Sequence, residues 1–113
     1  MQNYPIYRGR KIITQQEYEN LLADQKKDLF GQIVLVSLFL RDQILYSNLG
    51  GITIQGVLAE EVQDRRAKTY FYKFDGRYYE DFKALDKTHR VYAYCILPSF
   101  SQCLLLGIHE EWK

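Results

Sequence analysis

"QIVLVSLFL", residues 32–40, is the stretch that decides the fold. It is a continuous apolar run interrupted by one serine and rich in β-branched residues. Such a run suits either a short buried helix or a strand covered on both faces. Its length and its Ile-Val-Leu-Val composition favour the strand. It is far too short to cross a bilayer as a helix. A strand covered on both faces needs further strands and a helix around it, and the flanking sequence supplies both.

Downstream, "RDQ" (41–43) carries a bend into Ile44–Tyr46, and "SNLGG" (47–51) reads as a turn. "ITIQGVLAEEV" (52–62) reads as a second strand with Ile52, Ile54 and Leu58 on one face; Gly56 marks a bulge or a tight bend. After the polar connection "QDRRAK" (63–68), "KTYFYKF" (68–74) is the third strand, and "DG" (75–76) is a strong turn signal. "YYEDFKALDK" (78–87) has the pattern of a short amphipathic helix. "HRVYAYCIL" (89–97) and "QCLLLGIHEEW" (102–112) are two more strands, joined by "PSFS" (98–101).

Upstream, Ile12 and Ile13 add a short strand or dock on the core. Then "ITQQEY" (13–18) sets Thr14 three residues before Glu17, the spacing of a capping box, with Ile13 and Tyr18 placed as a hydrophobic staple. Tyr18, Leu21, Leu22 and Leu29 form an apolar stripe at helical spacing. Lys26 and Lys27 suit the negative end of the helix dipole, and Gly31 suits its stop. The pattern predicts one helix over residues 15–29.

The expected class is therefore α+β: a helix, three strands, a short helix and two strands. That order resembles the OB-type barrel, a small five-stranded closed sheet, expected to be antiparallel here, with an N-terminal helix and a short helix between strands three and four. A long first strand and a glycine in the second suit its strong curvature. The rival is a helix wrapped by a curved antiparallel sheet, as in cystatin-like or NTF2-like folds, with residues 4–13 as a further strand.

The totals bound the rest. A length of 113 residues suits one domain over 1–113, with enough chain to bury a core. Hydrophobic residues make up 47% and charged residues 26%, a globular balance without low-complexity tracts. A net charge of +1 argues against a strongly basic nucleic-acid binder but leaves room for local patches. Two cysteines are too few for a secreted disulfide framework, and "MQNYPIYRGRK" has no apolar leader core. The expectation is a soluble intracellular protein, cytoplasmic or nuclear, without membrane contact.

For function, "TYFYKFDGRYY" (69–79) stands out, with six aromatic rings interleaved with Lys73 and Arg77. On a strand, Tyr70, Tyr72 and Phe74 share one face; Phe71 and Lys73 share the other. Rings that stack bases beside cations that hold phosphate are the design of single-strand binders. The same rings, turned inward, are an ordinary core. Arg65, Arg66 and Lys68 form a basic group just before the strand, beside Glu60, Glu61 and Asp64, and Arg8, Arg10 and Lys11 form another. The candidate contact residues are Arg65, Arg66, Lys68, Tyr70, Tyr72, Lys73, Arg77, Tyr78 and Tyr79. Trp112, near the C-terminus, is either a plug over the core or an exposed anchor.

Other chemistry finds little support. His89, Cys95, Cys103 and His109 are zinc-ligand types, but no pair has ligand spacing, so no metal or other cofactor is expected. A hairpin about residues 98–101 sets the two cysteines opposite each other, yet a reducing compartment disfavours a disulfide. The carboxylate pairs are chain neighbours, which point to opposite faces on a strand. No phosphate-binding glycine loop is present.

Three readings remain. The first is a non-enzymatic binding module, a small subunit or accessory factor of a nucleic-acid-associated complex, with a protein partner and single-stranded nucleic acid as ligands. The second is a protein-interaction or inhibitor protein that binds its partner through a tyrosine-rich surface. The third, on the rival fold, is an enzyme or ligand binder with a pocket near Tyr18, Phe39, Tyr92 or Tyr94.

Overall fold

A computed structural model describes residues 6–7, 10–47 and 50–110, and the side chains of all of these except 6, 7, 10, 11 and 42. Two short strands, β1 (Ile6–Tyr7) and β2 (Arg10–Lys11), pair antiparallel. The chain then docks along the barrel: Ile12 is buried, Leu35 N–H donates to the Ile13 carbonyl, and Thr14 bridges Leu35 in parallel.

The capping box forms as the spacing predicts. The Thr14 hydroxyl accepts from Glu17 N–H, and the Glu17 carboxylate accepts from Thr14 N–H, each at 3.2 Å. The helix it starts is shorter than expected. Instead of one helix over 15–29 there are two, α1 (Gln15–Glu19) and α2 (Ala23–Lys27). Asn20 ends the first, and the Gln25 side chain accepts from Leu22 N–H at 2.9 Å, opening the second. Asparagine favours helix ends because its amide competes for backbone partners. The break turns Leu22 outward, 73% exposed, so it does not share the buried side of Tyr18.

The apolar run is a strand. β3 (Ile33–Tyr46) sends Val34, Val36, Leu38 and Leu40 inward. It pairs with two partners in succession: residues 33–39 with β6 (His89–Ile96), and residues 38–46 with β4 (Ile52–Leu58). The register to β4 shifts between Leu40 and Ile44, so "RDQ" bends the strand without ending it. β4 ends at Leu58, four residues short of the expected strand, and gives way to a 3-10 turn over Ala59–Glu61.

With β5 (Tyr70–Phe74) and β7 (Cys103–Glu110), the strands close into a five-stranded barrel of order β3-β4-β5-β7-β6. This is the OB-like architecture, not the helix wrapped by an open sheet. Its neighbours are antiparallel except β5 and β7, which run parallel through the pair Phe74 and Cys103. The expectation of an all-antiparallel barrel fails for a geometric reason: five strands alternating up and down cannot close a ring without one parallel pair.

Gly56 sits where the barrel wall is tightest. A Cβ there would lie 2.7 Å from Leu38 Cδ1 and 3.2 Å from the Phe39 carbonyl oxygen. Its lack of a side chain lets β4 cross β3 closely. The interior is filled by Leu38, Ile54, Tyr72 and Val91, with Tyr18 and Phe82 also buried against them. Phe82 belongs to α3 (Tyr79–Phe82), which follows a 3-10 turn over Gly76–Tyr78 in place of the longer helix expected over 78–87. Asp75 starts that turn by accepting from Arg77 N–H at 2.8 Å.

Cys95 and Cys103 are direct cross-strand partners and are joined by a disulfide. This corrects the expectation that the pair stays reduced: the hairpin register holds the two side chains together inside the barrel wall. Among the described residues, no helix is long and apolar enough to cross a membrane.

Candidate functional site

β5 resolves the ambiguity of "TYFYKFDGRYY". Tyr72 and Phe74 face the core, and Tyr70 is half-buried at the barrel's end. Phe71 faces out, 53% exposed, with Lys73 on the same side. Their cross-strand partners on β4 are Gln55 for Phe71 and Thr53 for Lys73. The outer face of this strand pair thus carries one bare ring, one ammonium and two uncharged polar groups.

The inward ring of Tyr72 is held by a buried polar contact. Its hydroxyl donates to Gln15 Oε1 at 2.6 Å, and Gln15 is itself 1% exposed. Burial drives the Tyr72 hydroxyl far above its ordinary pKa, opposed by the bond to Gln15. Phe100 packs on both Tyr70 and Tyr72, with ring centroids 6.0 and 5.2 Å away. Phe100 reaches them from a left-handed backbone conformation (φ 54°), rare for a bulky residue. Tyr72 is therefore a core residue, and its assignment as a contact residue is corrected. Tyr70 is largely a core residue too. Burial first, and then the charges of Glu19 and Glu61, push its hydroxyl up to about 12.

In the chain, cations precede and follow Phe71. Arg65 and Arg66 lie exposed on a loop that Arg41 organises by donating to the Asp64 and Arg65 carbonyls. Asp64 adds a bond of 2.9 Å from Arg66 N–H. The Lys68 ammonium stands 5.1 Å from the centre of the Tyr70 ring. Beyond the strand, the Arg77 guanidinium lies over the Tyr78 ring at 4.9 Å and donates to its hydroxyl. Glu60, Asp64 and Asp75 lie exposed near these cations in the chain, and the charges of Glu19 and Glu61 act on Tyr70, over whose ring Lys68 stands.

The last two tyrosines part company. Tyr78 packs edge-on against Phe74 and near Phe82, half-buried. Tyr79 is exposed and meets Tyr46 edge-to-face at 5.5 Å, beside a small cleft floored by Gly51 and Gly76. So the structure gathers Lys73 and Arg77, strings Arg65, Arg66 and Lys68 before them, and sends Tyr79 to a different cleft.

Two features escaped the sequence reading. The first is the exposed ring of Phe71, because alternation alone does not say which face is wet. The second is an open groove of about 510 Å³, whose lining includes Lys73, Asp75, Arg77, Tyr94, Ser101 and Gln102. Its lining comes from segments well separated in the chain, so no local pattern announces it.

The metal-type residues do not converge. Cys95 and Cys103 are bonded to each other, His89 Nδ1 lies 2.9 Å from the Asp86 carboxylate, and His109 packs against Tyr92. Among the described residues, no three side chains of ligand type stand together. Of the residues expected near a pocket, Tyr18 and Phe39 are buried, Tyr92 and Tyr94 are half-buried on β6, and Tyr94 lines the groove just described. Arg8, Glu111 and Trp112, and the side chains of Arg10 and Lys11, lie outside the described residues. Comparison with family models, with curated proteins and with solved structures gives no match.

Proposed function

We propose that this protein is a non-enzymatic binding module that holds single-stranded nucleic acid across the outer face of β4 and β5. The observation that supports this reading is the placement of Phe71. It is a bare ring on a barrel wall, with Lys73 on the same face, Arg65, Arg66 and Lys68 before it and Arg77 after it. A ring stacks on any base, and cations track the phosphates. In OB-type barrels, the outer face of the second and third strands is a common place for oligonucleotides. Fold alone does not assign function, so the weight rests on these side chains.

The net charge of +1 implies modest affinity for the isolated chain. The protein then acts as a small subunit or accessory factor whose partner supplies further surface. A cytoplasmic or nuclear location belongs to the same proposal. Cytoplasm and nucleus are reducing, so the same proposal requires the barrel to bind with Cys95 and Cys103 as thiols. Its redox state is therefore measured in the same preparation.

A second reading is a protein-binding module. The exposed Leu104 and Leu106 on β7 support it, because apolar side chains on a wall have little to offer phosphate.

Salt separates the two. Labelled random single-stranded DNA and RNA, titrated with protein at low and near-physiological salt, should bind with a logarithmic salt slope of about −0.7 per phosphate held. The double variant Phe71→Ala, Lys73→Ala should weaken binding by about 5- to 150-fold, the worth of one stacked base. Absence of binding at low salt, with the protein folded, overturns the nucleic-acid reading and leaves the protein partner.

A further inference from the structure

We infer that the Gln55 side chain grips the base-pairing edge of the base that stacks on Phe71, so that the site takes an unpaired nucleotide. This rests on the nucleic-acid reading above and names the part of the ligand that is read.

The placement follows from strand register. Gln55 and Phe71 are direct cross-strand partners on β4 and β5. Their chain neighbours Ile54 and Tyr72 are likewise partners, and both are fully buried. Alternation therefore turns Gln55 and Phe71 out of the barrel on one face. Direct partners on a face have Cβ atoms about 4.5–5.5 Å apart, within the reach of a glutamine side chain. The amide thus stands at the flank of the ring.

Neither side chain is engaged elsewhere. Phe71 is 53% exposed and makes no ring or cation contact among the described residues. The Gln55 amide has no hydrogen-bond partner among the described residues, and neither of its polar atoms is buried. Tyr72, on the opposite face, shows the contrary state: its ring packs on Phe100 and its hydroxyl is bonded to Gln15.

The chemistry of the pair selects the ligand. An exposed ring stacks on the face of any base. An amide offers an acceptor oxygen beside a donor nitrogen. Every base carries a donor next to an acceptor along its base-pairing edge, and the amide matches either order by turning over. In a duplex that edge is already occupied, whereas in a single strand it is open. The amide has no charge and is a poor partner for phosphate. That part falls to Lys73, which lies two residues on along the same face, about 7 Å from Phe71. Its own cross-strand partner is Thr53, so no carboxylate stands opposite the ammonium. Ring, amide and ammonium are then matched to the face, the edge and the phosphate of one nucleotide.

The test uses the whole chain and a labelled oligothymidylate of about eight nucleotides, within the span that one such barrel covers. A second oligomer of the same length is made from N3-methylthymidine. Methylation leaves the face of the base free to stack and removes the N–H that the Gln55 oxygen would accept. The parent should bind the methylated oligomer about 5- to 10-fold more weakly. Gln55→Met keeps the stem and deletes both donor and acceptor. It should bind the plain oligomer with a similar loss and should not distinguish the two oligomers. A parent that binds both oligomers equally overturns the inference, and so does Gln55→Met binding the plain oligomer like the parent. If methylation weakens Gln55→Met as much as the parent, the edge is read by another residue and the assignment falls. In each of these cases a loss in Phe71→Ala still upholds the module reading. No binding of either oligomer by the parent sinks both. The comparison of the two oligomers on the parent needs no variant to fold.

Discussion

Tyr72 and Phe71 are neighbours in the chain and differ by one hydroxyl. One is fully buried with its hydroxyl bonded to Gln15; the other is more than half exposed. The less polar ring is the one left in water. Ring chemistry alone predicts the reverse, so something other than hydrophobicity ordered the two faces of β5. That something is register. Ile54 faces inward, and Tyr72 is its cross-strand partner. A slip by one residue would bury Lys73 and expose Tyr72 and Phe74, which the core cannot accept. Buried rings on the inner face carry stability. The ring on the outer face stays exposed because the core does not claim it.

This contrast can be broken most directly by truncating each ring. Tyr72→Ala should cost about 3–5 kcal/mol in stability, while Phe71→Ala should change it by no more than about 0.5 kcal/mol. Urea unfolding of the two variants measures both, and similar losses would mean that the faces are not distinct. A smaller effect is expected from the wall that sets the register. Gly56→Ala drives a methyl toward Leu38 and Tyr72, whose Cε2 would lie 3.3 Å from it, and should cost about 1–3 kcal/mol by overpacking. Stability unchanged by that variant would show that the tight crossing has no role in register.

The smallest effect sharpens the boundary between the faces. Tyr70 lies on the inner side but at the barrel's end, and its hydroxyl is pushed up to about 12 from 10.0. A raised folded-state pKa favours the protonated form in the native state. Its contribution is therefore fully present below pH 10 and is lost as pH rises toward 12. Tyr70→Phe should leave stability at neutral pH within about 0.5 kcal/mol and flatten part of the decline above pH 10. An unchanged alkaline limb would place Tyr70 with the solvent-facing groups.

Local signals in the sequence were legible where the cause is local. Thr14 and Glu17 form their capping box because both partners sit within one turn. The apolar run after Gly31 is a strand because β-branched residues crowd a helix. The continuous helix over 15–29 was not legible as two, since the Gln25 side chain that caps Leu22 competes with a stripe that looks intact. Of the candidate contacts, Lys73, Arg77, Arg65, Arg66 and Lys68 sit near solvent as expected, because charged side chains resist burial. Tyr72 did not, and Phe71 was passed over, because alternation gives two faces without naming the wet one.

The amino-acid order alone determined the α+β class, the five strands of a small barrel and the capping box that opens the first helix. It also placed the cations beside an aromatic strand. Tertiary structure alone decided the parallel closing pair, the disulfide between Cys95 and Cys103, the inward turn of Tyr72 and the open groove. The reason is one of range. Capping, alternation and turn chemistry act over a few residues and leave a trace in the order of letters. Strand register, ring closure and the gathering of Lys73, Arg77 and Tyr94 along one groove depend on segments far apart in the chain, and exist only once the barrel has closed.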